Sequence, residues 1–344
     1  MAYTTIDKPS DYFNTVLYTG NNTDNTSITG VGFQPDWVWL KARNQADYHY
    51  SMDSVRGALK PLFQNDTSAE ANFSDSLKSF NTDGFTLGTS GDLNAASQTM
   101  VAWNWKAGGG AGSSNEDGSI NTTSTSVNQT AGFSISTWTG TGSNATVGHG
   151  LGAVPKMIIT KARSNTYDWY TYHASIGNTK AIYLNLTNAE SGASANFWNN
   201  TTPTSSVWTA GGNVFNNNYT FVTYAFAEKK GYSKFGSYTG NGNNDGTFVY
   251  TGFKPAFVMN KLSSGADNWL ISDNKRLGYN EKNQQLFPNL SNAEQTNVRY
   301  DLYSNGFKVV NNNGEINTSG ATYIYMAFAE NPFVTSTGVP ATAR

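Results

Sequence analysis

Three positions in this 344-residue chain keep a side chain able to move a proton: Asp53, His173 and Asp273, each eighteen residues beyond a proline (Pro35, Pro155, Pro255). A general acid or base needs a tuned environment and a fixed partner. Copies sharing one activity would not exchange Asp for His freely, so a turn-stabilising or surface role is expected, with Arg56 and Arg276 placed to pair with the aspartates. Lys41, Lys161 and Lys261 recur as well. Burial can turn a lysine into a nucleophile, but these are expected to snorkel outwards or to meet a carboxylate. His49, His149 and His173 have neither His-x-x-x-His spacing nor a carboxylate companion, so no metal site is expected. Asn241-Gly-Asn-Asn-Asp-Gly246 offers oxygens of the kind calcium takes but lacks the full loop spacing, and reads as a turn. Gly108-Gly-Gly-Ala-Gly112 is not followed by Lys-Ser or Lys-Thr, no Gly-x-Ser-x-Gly elbow is present, and there is no cysteine. No catalytic residue and no cofactor is expected, and the chain is read as a non-enzyme.

Aromatic residues are the richer signal, with nine Trp, nineteen Tyr and nineteen Phe. Exposed rings beside Asn and Asp are what sugar-binding faces use, the ring stacking and the polar group bonding hydroxyls. Trp169 and Trp269, after Asp168 and Asn268, and Tyr48, after Asp47, are the candidates for a glycan or partner face. Core packing and contact between modules compete for the same rings.

These positions belong to a repeat. Thr19-Gly20, Thr139-Gly140 and Thr239-Gly240 each follow an aromatic residue; fourteen residues separate each Gly from the prolines above, and five more separate each proline from the recurring lysines. Asn65-x-Thr-x-Ala-Glu70, Asn185-x-Thr-x-Ala-Glu190 and Asn289-x-Ser-x-Ala-Glu294 follow, then Ala102-Trp103, Ala225-Phe226 and Ala327-Phe328. The third copy carries a four-residue insertion around Leu277 to Gln284. The spacing predicts three modules of about 100 residues.

The elements positioning these residues are strands. Trp37-Val-Trp-Leu-Lys41 and its counterparts suit a strand buried on both faces, Gly132-Phe-Ser-Ile-Ser-Thr-Trp138 alternates apolar and polar, and Asp83-Gly84 and Asn305-Gly306 are hairpin signals. The expected fold class is all-β, three tandem β-sandwich or jelly-roll-like modules, each with one short helical turn. The Thr/Ser-x-Ala-Glu strings match a capping box and are expected to form that turn. The domains read as an amino-terminal segment 1–11, modules at 12–106, 132–229 and 232–333, a Gly/Ser/Asn/Thr-rich linker or arm 107–131, and a polar tail 334–344. The unequal joins predict one module on a long tether followed by a tightly coupled pair.

Formal net charge is −2 and no segment gathers basic residues, so a nucleic-acid footprint is missing. No apolar run reaches bilayer length, and Met1 to Ser10 has neither a basic n-region nor an apolar h-region, so neither a signal peptide nor membrane insertion is expected.

The strings Ile28-Thr-Gly-Val-Gly-Phe-Gln-Pro35, Ser79-Phe-Asn-Thr-Asp-Gly-Phe-Thr-Leu-Gly88, Val147-Gly-His-Gly-Leu-Gly152, Gly231-Tyr-Ser-Lys-Phe-Gly-Ser-Tyr-Thr-Gly240 and Tyr323-Ile-Tyr-Met-Ala-Phe-Ala-Glu330 span the chain. In them the sequence resembles a family of repeated β proteins encoded by tailed bacteriophages, especially marine ones. The resemblance implies a virion or tail-associated structural protein, assembled in the host cytoplasm and exposed on the particle, and it carries no catalytic residues. The expected role is of the tail-fibre or receptor-binding type, with other virion proteins and a host glycan or envelope protein as partners. Capsid decoration and glycan depolymerisation are the alternatives. Three modules in one chain could form their own pseudo-threefold unit; a homotrimer is the expectation by family analogy.

Overall fold

A computed structural model describes residues 2–276, 280 and 284–341. The chain is all-β apart from isolated helical turns, and each module is a sandwich of a large and a small antiparallel sheet. In the first module the large sheet runs Phe13–Thr19, Thr99–Trp105, Trp37–Ala42, Tyr50–Asp53, Leu62–Phe63, and the small one Thr26–Thr29, Gly84–Leu87, Leu77–Asn81. The same large-sheet order occurs in the second module as Phe133–Thr139, Thr220–Phe226, Met157–Ala162, Tyr170–His173, Ile182–Tyr183, and in the third as Ser233–Thr239, Thr322–Pro332, Phe253–Leu262, Trp269–Asp273. The facing pairs Thr19 with Thr99, Thr139 with Thr220 and Thr239 with Thr322 set the register. They align Asn104-Trp105, not Ala102-Trp103, with Ala225-Phe226 and Ala327-Phe328. The expected insertion around Leu277 to Gln284 lies largely outside the described residues.

Each central strand serves two cores because successive side chains point to opposite faces. Val38, Leu40 and Ala42 fill the first sandwich, whereas Trp37 and Trp39 point the other way. Met157 and Ile159, then Phe257 and Met259, do the same in the other modules. All six lie in one central core walled by the three large sheets. There the Trp37 ring stacks on Tyr224 of the second module at 4.4 Å, and Phe13 stacks on Phe328 of the third at 5.1 Å. The expectation of one tethered module and a coupled pair is therefore corrected. A large sheet apolar on both faces must be covered twice, and the other two modules provide the second cover.

The segment 107–131 is an arm laid on the second module. Ser124–Asn128 pairs with Phe133–Thr139 and extends that large sheet, while Ile120 bridges to Val147. Its glycines serve one carboxylate: buried Asp36 accepts from the amides of Ala107 (2.7 Å) and Gly109 (3.0 Å) on Oδ2 and from Gly110 (2.8 Å) on Oδ1. Gly109 and Gly110 have φ of 81° and 129°, a conformation that glycine adopts without Cβ strain. The tail is anchored too, with Ser336 bonded to the Asp7 carboxylate.

One helical turn per module is present, but at Gly91–Asn94, Ala195–Trp198 and Gly314–Asn317. The Thr/Ser-x-Ala-Glu segments are neither helix nor strand. Their capping-box reading is corrected, because at each of them the Glu amide bonds to a carbonyl of a different module and the carboxylate is taken by arginine or lysine side chains.

Candidate functional site at the module junctions

The Thr/Ser-x-Ala-Glu segment of each module lies beside the loop after the recurring lysine of the next. The Glu70 amide donates to the Arg163 carbonyl (2.7 Å) and the Tyr167 amide to the Thr67 carbonyl (2.9 Å). Glu190 with Ser263 and Asp267 with Thr187 repeat the pattern at 2.9 Å each. Glu294 with Arg43 (2.7 Å) and Asp47 with Ser291 (2.9 Å) carry it from the third module to the first. The three modules thus close into a ring within one chain.

Charges reinforce two of the junctions. Between the first and second modules Asp53, Arg56, Glu70 and Arg163 alternate in sign, at 2.5, 3.0 and 2.8 Å between neighbours. Between the third and first, Asp273, Arg276, Glu294 and Arg43 do so at 2.7, 3.1 and 3.0 Å. Burial acts to raise the Glu70 carboxyl, but Arg163 and Arg56 hold it below its ordinary value. Burial likewise opposes the Asp273 carboxylate, and Arg276 with the Trp103 indole outweighs it. The recurrent aspartates also reach across: Tyr224 donates to Asp53 (2.7 Å) and Trp103 to Asp273 (2.9 Å). The sheet register places Met326 where Trp103 and Tyr224 stand, and Met326 has no donor. His173 stands there instead, with Ile176 at the arginine position and its Nε2 3.2 Å from the Tyr325 carbonyl. Of the turn-stabilising or surface role expected for Asp53, His173 and Asp273, the surface part is corrected, since all three are buried at junctions; each accepts an amide proton of the turn that follows it, and Arg56 and Arg276 pair with the aspartates.

The lysines depart from expectation as well. Lys41, Lys161 and Lys261 are fully buried, neither snorkelling nor bonded to a carboxylate. Lys161 Nζ donates to the carbonyls of Ala162 (2.9 Å), Thr67 (3.0 Å) and Asn165 (3.5 Å), and Lys261 to those of Leu262, Thr187 and Gly265. Burial brings all three lysines down to about 8. The histidines are buried and neutral in one tautomer: Nδ1 accepts from Trp39 in His49, from the Leu151 amide in His149 and from the Ser175 amide in His173. The ring proton therefore sits on Nε2, 3.2 Å from the carbonyl of Thr204 in His149 and of Tyr325 in His173, whereas His49 Nε2 is buried without a hydrogen-bond partner among the described residues.

Of the proposed aromatic face, Trp169 and Trp269 are 0% and 1% exposed, and that assignment is corrected. Both lie in the central core, their indoles donating to the Phe63 carbonyl (2.7 Å) and the Tyr183 carbonyl (2.8 Å) of the preceding module. Counting from the prolines shows why Tyr48 differs: His49, not Tyr48, occupies the tryptophan position, and Tyr48 aligns with Asp168 and Asn268. Tyr48 is 44% exposed. Its ring leans on Phe63, centroids 4.8 Å apart, at the rim of an open groove of about 560 Å³ between the first and third modules.

That groove is lined by Ala46, Asp47, Tyr48, Asn65 and Asp92 of the first module and Asn289, Leu290, Ser291 and Asn292 of the third. Asp47 Oδ2 accepts from the Gln45 and Gln98 amides at 2.7 and 2.8 Å. Burial raises the Asp47 carboxyl, opposed by the Gln45 bond and assisted by Asp92. Tyr50 donates to Asp92 Oδ2 at 2.5 Å. Asn65, Asn185 and Asn289 each accept the backbone N–H of His49, Trp169 or Trp269 at 2.8, 2.9 and 2.9 Å. In the second and third modules the same amide donates through Nδ2 to Asp168 (2.7 Å) and Asn268 (2.8 Å). Tyr48 has no such acceptor, and among the described residues none takes Asn65 Nδ2. Sequence reasoning missed Asn65, Asp92 and Asn292 as lining of this groove; Asn65 and Asp92 come from the module of Tyr48, and Asn292 reaches it only through ring closure.

A second group of exposed rings, Phe248, Tyr250 and Tyr303, lies on the small sheet of the third module. The register places Ser27, Thr29 and Asn81 at the corresponding positions of the first. The 241–246 turn is held by Asn317, which donates to the Asn243 carbonyl (2.7 Å) and to Asn241 Oδ1 (3.0 Å). No cluster able to hold a metal occurs among the described residues.

Residues 8–332 match the family model described as a domain of unknown function, DUF7483, and the chain belongs to that family. No curated protein and no solved structure matches it.

Proposed function

We propose that this DUF7483 member is a non-enzymatic structural protein of a bacteriophage virion, exposed on the particle and contacting the host in the manner of a receptor-binding protein. One observation carries the reading: the scaffold repeats inward and varies outward. The titratable groups recurring at the junctions are consumed by ring closure, whereas the outward positions differ between modules, Ser27, Thr29 and Asn81 against Phe248, Tyr250 and Tyr303. Such a division suits a rigid body presenting distinct faces to partners, which on this reading are other virion proteins and a host glycan or envelope protein. The sequence resemblance to tailed-phage proteins supports the same setting, with assembly in the host cytoplasm.

Cryo-electron microscopy of intact particles, with this chain carrying a carboxy-terminal tag, tests the proposal. Tagged density at the tail is the expected result. Density spread over the capsid lattice would replace attachment by decoration, and particles lacking the chain would remove the virion assignment.

A further inference from the structure

The groove between the first and third modules departs from its own scaffold at one place. Where Asp168 and Asn268 hold the carboxamides of Asn185 and Asn289, Tyr48 stands aside with its ring at the surface and leaves Asn65 Nδ2 without a protein acceptor among the described residues. The other two copies show that the bond is available to this backbone. Its absence frees one donor and exposes one ring at the same rim. Asp47 and Asp92 line the same space; each has an internal donor on Oδ2, and neither Oδ1 takes a hydrogen bond from the described residues. Asn292, from the third module, lines the opposite wall. The described lining holds no lysine, arginine or histidine.

A ring face beside separate donors and acceptors fits a ligand with one apolar face and a rim of hydroxyls, which is the chemistry of a pyranose. Two carboxylates without a lining cation set the sign: an anionic sugar meets like charge, whereas hydroxyls or an ammonium group donate to both. We propose that this groove binds a neutral or amino-bearing glycan, stacking a sugar on Tyr48 with Asn65 donating and Asp47 and Asp92 accepting, and that it rejects acidic glycans. The proposal rests on the reading of the chain as a surface-presented binding protein and names the ligand class of that surface.

The test uses the full chain on an array carrying neutral, N-acetylated, amino-bearing, uronic, sialylated and phosphorylated bacterial and marine glycans, followed by calorimetry on the strongest hit. Neutral or amino-bearing members are expected to bind. Tyr48→Asn is the informative variant, because the third module folds with Asn268 at that position; it restores an acceptor for Asn65 and removes the ring. Its melting temperature should stay at the parent value while affinity falls about tenfold or more, the size of a lost ring stack with its accompanying hydrogen bond. Asn292→Ala, at an exposed position, should weaken binding without unfolding, and Asp47→Asn with Asp92→Asn should admit acidic members. Binding confined to acidic glycans, no binding on the array, or Tyr48→Asn binding at the parent level would each overturn the proposal. A chain located on the particle that binds no sugar sinks the groove alone, so the two readings fail separately.

Discussion

His173 illustrates how a residue that looks reactive becomes structural. Its Nδ1 already accepts an amide proton and its ring is buried, so burial brings it down to about 4. His49 and His149 are lowered by burial too. An unfolded histidine titrates near 6.5, so below that value the unfolded chain binds more protons than the folded one. Folding stability should therefore fall as pH drops from about 6.5 toward 4, with His173 alone accounting for about 3 kcal/mol. Urea unfolding midpoints across that range check this, and His173→Gln should flatten the slope; an unchanged slope would mean that the ring is charged in the fold. Asp273 makes the complementary case. Asp273→Ala leaves Arg276 buried without its nearest counter-charge and should cost about 3–5 kcal/mol in chemical denaturation. A loss under 1 kcal/mol would show that Glu294 suffices as partner.

At the scale of elements, the irregular Thr/Ser-x-Ala-Glu segments and the outer sheets divide the labour. The segments look like helix starts because Thr and Glu three apart can cap each other. They form no helix because arginine or lysine side chains take the Glu carboxylates and, at every junction, the Glu amide bonds to the next module. The signal was in the sequence as a strict repeat, but its partner is up to 251 residues away. The outer sheets carry no such constraint. Replacing Phe248, Tyr250 and Tyr303 by Ser, Thr and Asn, the residues of the first module, should change stability by less than about 1 kcal/mol while lowering surface hydrophobicity. Thermal melts and dye binding measure both; a collapse of the melt would make the rings part of the fold.

The whole molecule is a closed ring of three sandwiches on one core, which ties their stabilities together. Trp37 stacks on Trp105 of its own module and on Tyr224 of the second, both at 4.4 Å. Trp37→Ala should cost about 3–5 kcal/mol and shift a single calorimetric transition, not one third of the signal. Three separable transitions would show that the modules fold independently. Closure within one chain also takes up the faces through which separate modules would have to trimerise. Sedimentation should accordingly give the mass of one chain, in place of the homotrimer expected from family analogy; a threefold mass would restore it.

The sequence by itself determined the all-β class and the burial of each central strand on both faces, because these follow from local periodicity and turn chemistry. It also held the register that separates Tyr48 from Trp169 and Trp269, in the count from each proline. Only the tertiary structure decided which face each large sheet shows to the centre, that Trp169, Trp269, His173 and the lysines are buried at junctions, and that Asn65 Nδ2 has no protein acceptor among the described residues beside Tyr48. Burial and hydrogen-bond partnership are properties of surfaces brought together by ring closure, and a chain segment carries no record of what will cover it.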